Sequence, residues 1–169
     1  MTSTLYANPY DISAQGFYFT SLEDYEKKAA ELRNEHGQPV EEFEIDFIDG
    51  ENADLFAAFG VNQANLEHWF EIDEMDLSDE QKVAFFYLVS DLGKTAQEAL
   101  ELIDDVSIFE GKPSDYVEEI LDEIYPDIPQ GLRGYIDTEA MARDMRLNGE
   151  IAEFEREGKD YVITNPMDF

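Results

Sequence analysis

The sequence predicts an α+β fold. Two observations carry that prediction: β-prone runs lie near both ends of the chain, and capped helical patterns fill the stretches between them. A third observation shows that the chain can build a core at all. It holds 41 Asp and Glu against 11 Lys and Arg, a formal charge of −30 on 169 residues, and acidity of that order often accompanies disorder. Disordered chains are poor in aromatics, whereas 12 Phe, 9 Tyr and 1 Trp supply ample apolar material here.

The elements follow in order. Thr4 to Ala7 and Gly16 to Thr20 are short β-prone runs around a polar turn, Asp11 to Gln15. Ser21 suits a helix N-cap, with Asp24 at the third helical position, and Gly37 offers a stop. Leu22, Tyr25, Ala29 and Leu32 keep helical spacing between them. In EEFEIDF, Phe43, Ile45 and Phe47 alternate with Glu42, Glu44 and Asp46, the pattern of a strand with an apolar inner face and an acidic outer one. These pieces make residues 1–60 an N-terminal α+β unit.

Residues 61–106 read as a helical middle unit. Asn62 to Asp73 carries Leu66, Trp69, Phe70 and Ile72 at helical spacing. Ser78 and Gln81 form a capping box ahead of KVAFFYLVSDL, closed by Gly93. That segment is apolar nearly all round, so a central buried helix is expected; its length of about 15 residues argues against a buried strand. The helical pattern resumes at Thr95 and runs through Glu98 and Leu102 to Asp105.

Residues 107–169 read as a C-terminal α+β unit. VSIF suits a short strand, and Pro113 suits the first turn of a helix that Pro126 and Pro129 terminate. Asp137 caps a further helix through Met145, ended by Asn148 and Gly149. Glu150 to Glu157 and Asp160 to Thr164 flank Gly158-Lys159 as a hairpin.

Charge then narrows the function. Phosphates and anionic membrane surfaces repel such a chain, so direct nucleic-acid binding and membrane binding are excluded and basic proteins are the natural partners. Without cysteine there is no disulfide, thiolate metal site or thiol nucleophile. MTSTLYANPYD lacks the basic flank and apolar stretch of a signal peptide, and the longest apolar run, Val83 to Val89, falls far short of the ~20 residues of a membrane helix. A soluble, cytoplasmic protein is expected.

Catalytic signatures are missing. Among 41 acids, carboxylate pairs at catalytic separation arise by chance, and neither His36 nor His68 sits in a serine or cysteine motif. IDFIDGENADLF places Gly50 after Asp49, but Ile45 and Phe47 occupy positions where a calcium loop needs oxygen ligands. No P-loop and no GxGxxG occurs. The chain reads as a non-enzyme without cofactor or dedicated metal site.

The acids are unevenly spread. Between Asn34 and Gln81 there are 15 acids and no Lys or Arg, and from Thr95 to Leu132 there are 11 against Lys112 alone. In PSDYVEEILDEIY, Val117, Ile120, Leu121 and Ile124 make one stripe and Asp115, Glu118, Glu119, Asp122 and Glu123 the opposite one. At about 1.5 Å per residue those five carboxylates span roughly 12 Å, one charge per roughly 2.4 Å. B-DNA carries one per about 1.7 Å of axis. Glu42, Glu44 and Asp46 on the strand, with Asp73, Glu74 and Asp76 beyond it, extend the same candidate surface. Together they read as a DNA-like field of carboxylates offered to a DNA-binding protein. A merely solvated face, a surface adapted to brine, and an acidic adaptor that binds a basic protein without imitating DNA are the alternatives.

One segment resembles a known family. Leu132 to Ile151, LRGYIDTEAMARDMRLNGEI, is similar to the antirestriction motif of ArdA-type antirestriction proteins. The matching positions are Leu132, Tyr135, Ile136, Asp137, Glu139, Ala140, Ala142, Arg143, Asp144, Leu147 and Gly149; Thr138 and Arg146 depart from the pattern. EEFEIDF also resembles the acidic strand that closes the family's first domain. The resemblance implies three small units strung into an elongated, curved body. It also implies a homodimer that mimics bent duplex DNA and occupies the DNA groove of type I restriction–modification enzymes, at their methyltransferase and specificity core. Within the motif, the apolar positions, Met141 among them, together with Arg143 and Arg146, suit either a self-association surface or the core of the last domain better than a phosphate mimic.

Overall fold

A computed structural model describes residues 3–169. The chain divides into two compact units, Met1–Leu77 and Ser78–Phe169. That boundary cuts through the stretch read as a helical middle unit. Its first helix joins the N-terminal sheet, and its later helices join the C-terminal one.

The N-terminal unit is a three-stranded antiparallel sheet covered by helices. Strand β1 (Thr4–Pro9) lies at the centre, between β2 (Phe17–Phe19) and β3 (Phe43–Asp49). Leu5, Ala7, Phe19, Phe43 and Ile45 are buried, as alternation in β1 and β3 predicts. Helix α1 (Leu22–Glu31) sends Tyr25 against Phe19 and Phe43, and α3 (Leu66–Glu74) sends Phe70 against Phe19. A helix that the sequence reading missed, α2 (Ala53–Phe59), places Phe56 between Phe47 and Trp69. Rings at such tilted and edge-on spacings add about 1 kcal/mol per pair beyond their buried area.

Two expected boundaries move. Helix α1 ends at Glu31, six residues before Gly37, because Arg33 leaves the helix to form a bridge with Pro39. Gly37 instead takes a left-handed φ of 76° inside the Asn34–Gln38 turn. Helix α3 starts at Leu66 and not at Asn62, because the Asn62 side chain accepts the Ala64 N–H and Asn65 accepts that of Asn62, folding a turn of their own.

A polar knot ties the start of the chain to α3. The Asp73 carboxylate accepts the Ser3 backbone N–H at 3.0 Å, the Ser3 hydroxyl at 2.8 Å and the Asn52 amide at 3.0 Å. Ser3 is fully buried, so its two donors have no water to fall back on. Asp73→Ala is therefore expected to destabilise this unit by about 3 kcal/mol, whereas Glu74→Ala at the exposed next position leaves it within about 0.5 kcal/mol. Thermal unfolding of the two variants checks the contrast.

The C-terminal unit opens with α4 (Asp79–Ser90), whose Ser78–Gln81 capping box is present as predicted. Val83, Ala84, Phe85, Tyr87 and Leu88 are buried, which makes α4 the central helix of the unit. Helix α5 (Ala96–Leu102) packs on it and is capped by the reciprocal Thr95–Glu98 pair; it stops at Leu102, short of Asp105. The second sheet has the order β4 (Ile108–Glu110), β6 (Lys159–Ile163), β5 (Ala152–Arg156), all antiparallel. Tyr87 meets Phe154 edge-on, and the Arg156 guanidinium lies 3.8 Å from the centre of the Phe86 ring.

The hairpin is present, but its turn is Glu157-Gly158 and not Gly158-Lys159. Both turn residues take positive φ, 54° and 77°, and Lys159 is already paired with Arg156. A two-residue turn with both φ positive follows the sheet's twist, so Glu157 accepts a conformation it rarely adopts. Helices α6 (Pro113–Ile124), α7 (Gln130–Arg133) and α8 (Thr138–Leu147) complete the unit. Helices α6 and α8 pack on each other, and α6 also rests on β6.

Candidate functional site

The acidic stripe predicted for residues 115–123 forms as a helix face. Pro113 opens α6 at its first turn, and Val117 and Leu121 turn inward and are buried. On the opposite side Asp115, Glu118, Glu119, Asp122 and Glu123 are all exposed. Their helical placement spreads five charges over the roughly 12 Å of axis that the sequence implied.

Two of the five have partners. Asp115 accepts the Lys112 backbone N–H at 3.1 Å and so finishes the helix start, and Asp122 pairs with Arg133. Among the described residues no cation reaches ion-pair distance of Glu118, Glu119 or Glu123. Lys and Arg partners elsewhere among the described residues include Asp24, Glu110, Glu153 and Glu157. Leaving like charges unscreened at three- and four-residue spacing costs a few tenths of a kcal/mol per pair, so fold stability alone does not favour this pattern.

The N-terminal acids divide more sharply. Glu42 and Glu44 are exposed beside and on β3, which is an edge strand, and Asp46 is half-buried opposite Tyr6. Glu44 stands opposite Asn8, so the outer face of the sheet carries acids next to the tilted ring pair of Tyr6 and Tyr18. Glu74 and Asp76 are exposed at the end of α3 and just past it, and Asp76 has a positive φ of 48°. Asp73 differs from its neighbours. Its carboxylate is half-buried and committed to Ser3 and Asn52, which sequence periodicity had no means of showing.

The Leu132–Ile151 segment begins in the last two residues of α7, passes through a short turn and contains all of α8. Asp137 caps α8 by accepting the Ala140 N–H at 2.9 Å, and Gly149 ends it with a φ of 77°. Ala142 is buried, and Ile136, Ala140, Met141 and Met145 are half-buried. Leu132, Tyr135 and Leu147 are instead 56, 87 and 75% exposed. Glu139, Arg143 and Asp144 are exposed as well. Part of the segment thus packs the unit, while Leu132, Tyr135 and Leu147 leave three large apolar side chains in solvent.

Arg143 and Arg146 face a cleft of about 600 Å³ with Lys112, floored by Ala142, Phe154 and Tyr161. Arg146 is tied there to Glu153. Glu139, Glu155 and Asp160 also line the cleft, so its charges offset one another. No group of three or more His, Cys, Asp or Glu able to hold a metal ion occurs among the described residues. Nor is any described helix long and apolar enough to cross a membrane.

The family model described as Antirestriction protein (ArdA) matches residues 9–159 of the 169. The chain belongs to the ArdA antirestriction family. No curated protein matches it. ArdA proteins inhibit restriction–modification enzymes, which supports a restriction enzyme as the partner class. The match covers the exposed acids of β3 and α6 and the whole of α8.

Proposed function

We propose that this ArdA-family chain inhibits type I restriction–modification enzymes by presenting a DNA-like surface of carboxylates to their DNA-binding groove. The observation that carries this reading is the α6 face, where Glu118, Glu119 and Glu123 stand exposed without cationic partners at nearly the linear charge density of B-DNA. Glu42 and Glu44, beside and on β3, give the N-terminal unit exposed carboxylates of its own. A groove built to hold phosphates supplies the Lys and Arg that this face lacks, and counterions released on contact drive association as they do for DNA.

Occupying the groove of the methyltransferase and specificity core blocks every DNA-dependent activity of the enzyme. Restriction and modification are both expected to fall in step as the protein is added to a purified type I enzyme with its DNA substrate. Unchanged activity at protein concentrations well above the enzyme's contradicts the proposal. Loss of cleavage with full methylation places the contact on the cleavage machinery instead.

A further inference from the structure

We infer that the loop between β1 and β2, residues 10–15, is a preformed apolar anchor that enters an apolar slot on the basic protein partner. Ile12 is 102% exposed and Tyr10 66%. A single exposed isoleucine is ordinary on a protein surface. What sets this one apart is how tightly its loop is held.

The Asp11 carboxylate accepts three hydrogen bonds, from the Ser13 N–H at 2.9 Å, the Ser13 hydroxyl at 2.6 Å and the Asn34 amide at 2.9 Å. Tyr10 donates its N–H to the Glu42 carbonyl at 3.1 Å, and Glu35 donates to the Ser13 carbonyl at 3.0 Å. At the far end Gly16 sits so close to β1 that a Cβ there would fall 2.3 Å from the Ala7 carbonyl oxygen. The loop is therefore pinned before, at and after Ile12. The bonds from Ser13 and Asn34 also hold the Asp11 carboxyl down at about 2, against its ordinary 3.8. Being lowered in the folded state, it contributes its bonds fully above pH 3.8 and loses them as pH falls through about 2, so the pinning is intact at neutral pH.

A side chain held in its bound conformation avoids the ordering cost that a mobile loop meets on binding, which is how a few fixed apolar residues come to dominate an interface. Charge selects the occupant. Glu35, Glu41 and Glu42 are exposed around the loop, and Glu41 and Glu42 share a recess with Tyr10. A second copy would bring those acids against its own, and anionic lipid would repel them. A slot bordered by Lys and Arg fits both the apolar tip and the acidic surround. This inference rests on the reading of the partner as a basic DNA-binding enzyme.

The test is binding kinetics of the full chain on an immobilised, purified type I restriction–modification enzyme, with Ile12→Ser and Tyr10→Ser as variants. Neither side chain supports the fold, and neither change alters charge. Dissociation is expected to quicken about tenfold for Ile12→Ser and in the same direction for Tyr10→Ser, while the association rate and its salt dependence stay at wild-type values. Asn34→Ala, which loosens the loop without touching its apolar tip, also quickens dissociation. Wild-type dissociation in both serine variants overturns the anchor while leaving the inhibitor reading standing. A wild-type chain that does not bind the enzyme overturns both.

Discussion

Converting Asp115, Glu118, Glu119, Asp122 and Glu123 together to their amides slows association with the target by roughly tenfold at low salt and flattens its salt dependence. The dissociation rate changes less, because steering acts on the approach. The fold survives. Like-charge repulsion disappears between Asp115 and Glu118, Asp115 and Glu119, Glu118 and Asp122, Glu119 and Asp122, and Glu119 and Glu123, at a few tenths of a kcal/mol each. Asp122 and Glu123 also lie in the last turn of α6, where the helix dipole disfavours anions. Against these gains stands the loss of the Asp122–Arg133 pair, while an amide at position 115 still accepts the Lys112 N–H. The net stability change is a gain below about 1 kcal/mol. A variant that melts no lower than wild type yet associates slowly identifies α6 as a binding face. Unchanged association at low salt shows a face that is merely solvated. Single substitutions change little, since the field is shared among many groups.

Self-association is the second expected result. A dimer carries twice −30, so only an apolar interface overcomes the repulsion, which salt screens over about 8–10 Å. The exposed apolar side chains Leu132, Tyr135 and Leu147 are the candidates for such an interface. A homodimer through that surface tightens as salt rises, the reverse of target binding. Tyr135→Glu with Leu147→Glu is expected to give monomers across the salt series while leaving the melting temperature near wild type, since both side chains stand largely in solvent. Those monomers still inhibit, at higher concentration, because half the decoy covers fewer contacts. Met141, which the sequence placed beside Tyr135 in this role, is half-buried, so a charge there confounds assembly with folding. Sedimentation of wild type and variant across the salt series decides it. A wild-type chain that stays monomeric at high micromolar concentration and every ionic strength contradicts the dimer.

Local chemistry made much of the fold legible. The caps at Ser21, Ser78 and Asp137, the proline that opens α6 and the alternation of β3 are decided within a few residues, and each stands where the sequence placed it. The acidic face of α6 was legible for the same reason, since helical periodicity alone assigns a residue to a side. Features that depend on distant partners were not. Asp73 reads like its exposed neighbours until Ser3, 70 residues away, is seen to use it, and Arg133 gives no local sign that it reaches Asp122. Helix α2 was missed because its seven residues, ADLFAAF, are too short for periodicity to emerge; Gly60, left-handed just past its end, was the one available signal. In residues 61–106 the apolar pattern assigns helices but not the sheet that each one joins. Phe70 and Tyr87 sit in helices that follow one another in the chain, yet one packs on Phe19 and the other on Phe154.

Displacement by duplex DNA tests the central claim most directly. Fluorescently labelled protein bound to a purified type I enzyme is titrated with an unlabelled duplex carrying the enzyme's recognition sequence. If the carboxylates occupy the DNA groove, the duplex releases the protein competitively, and its apparent affinity weakens in proportion to the protein present. A ternary complex, with DNA and protein held by the enzyme together and neither weakening the other, contradicts the account.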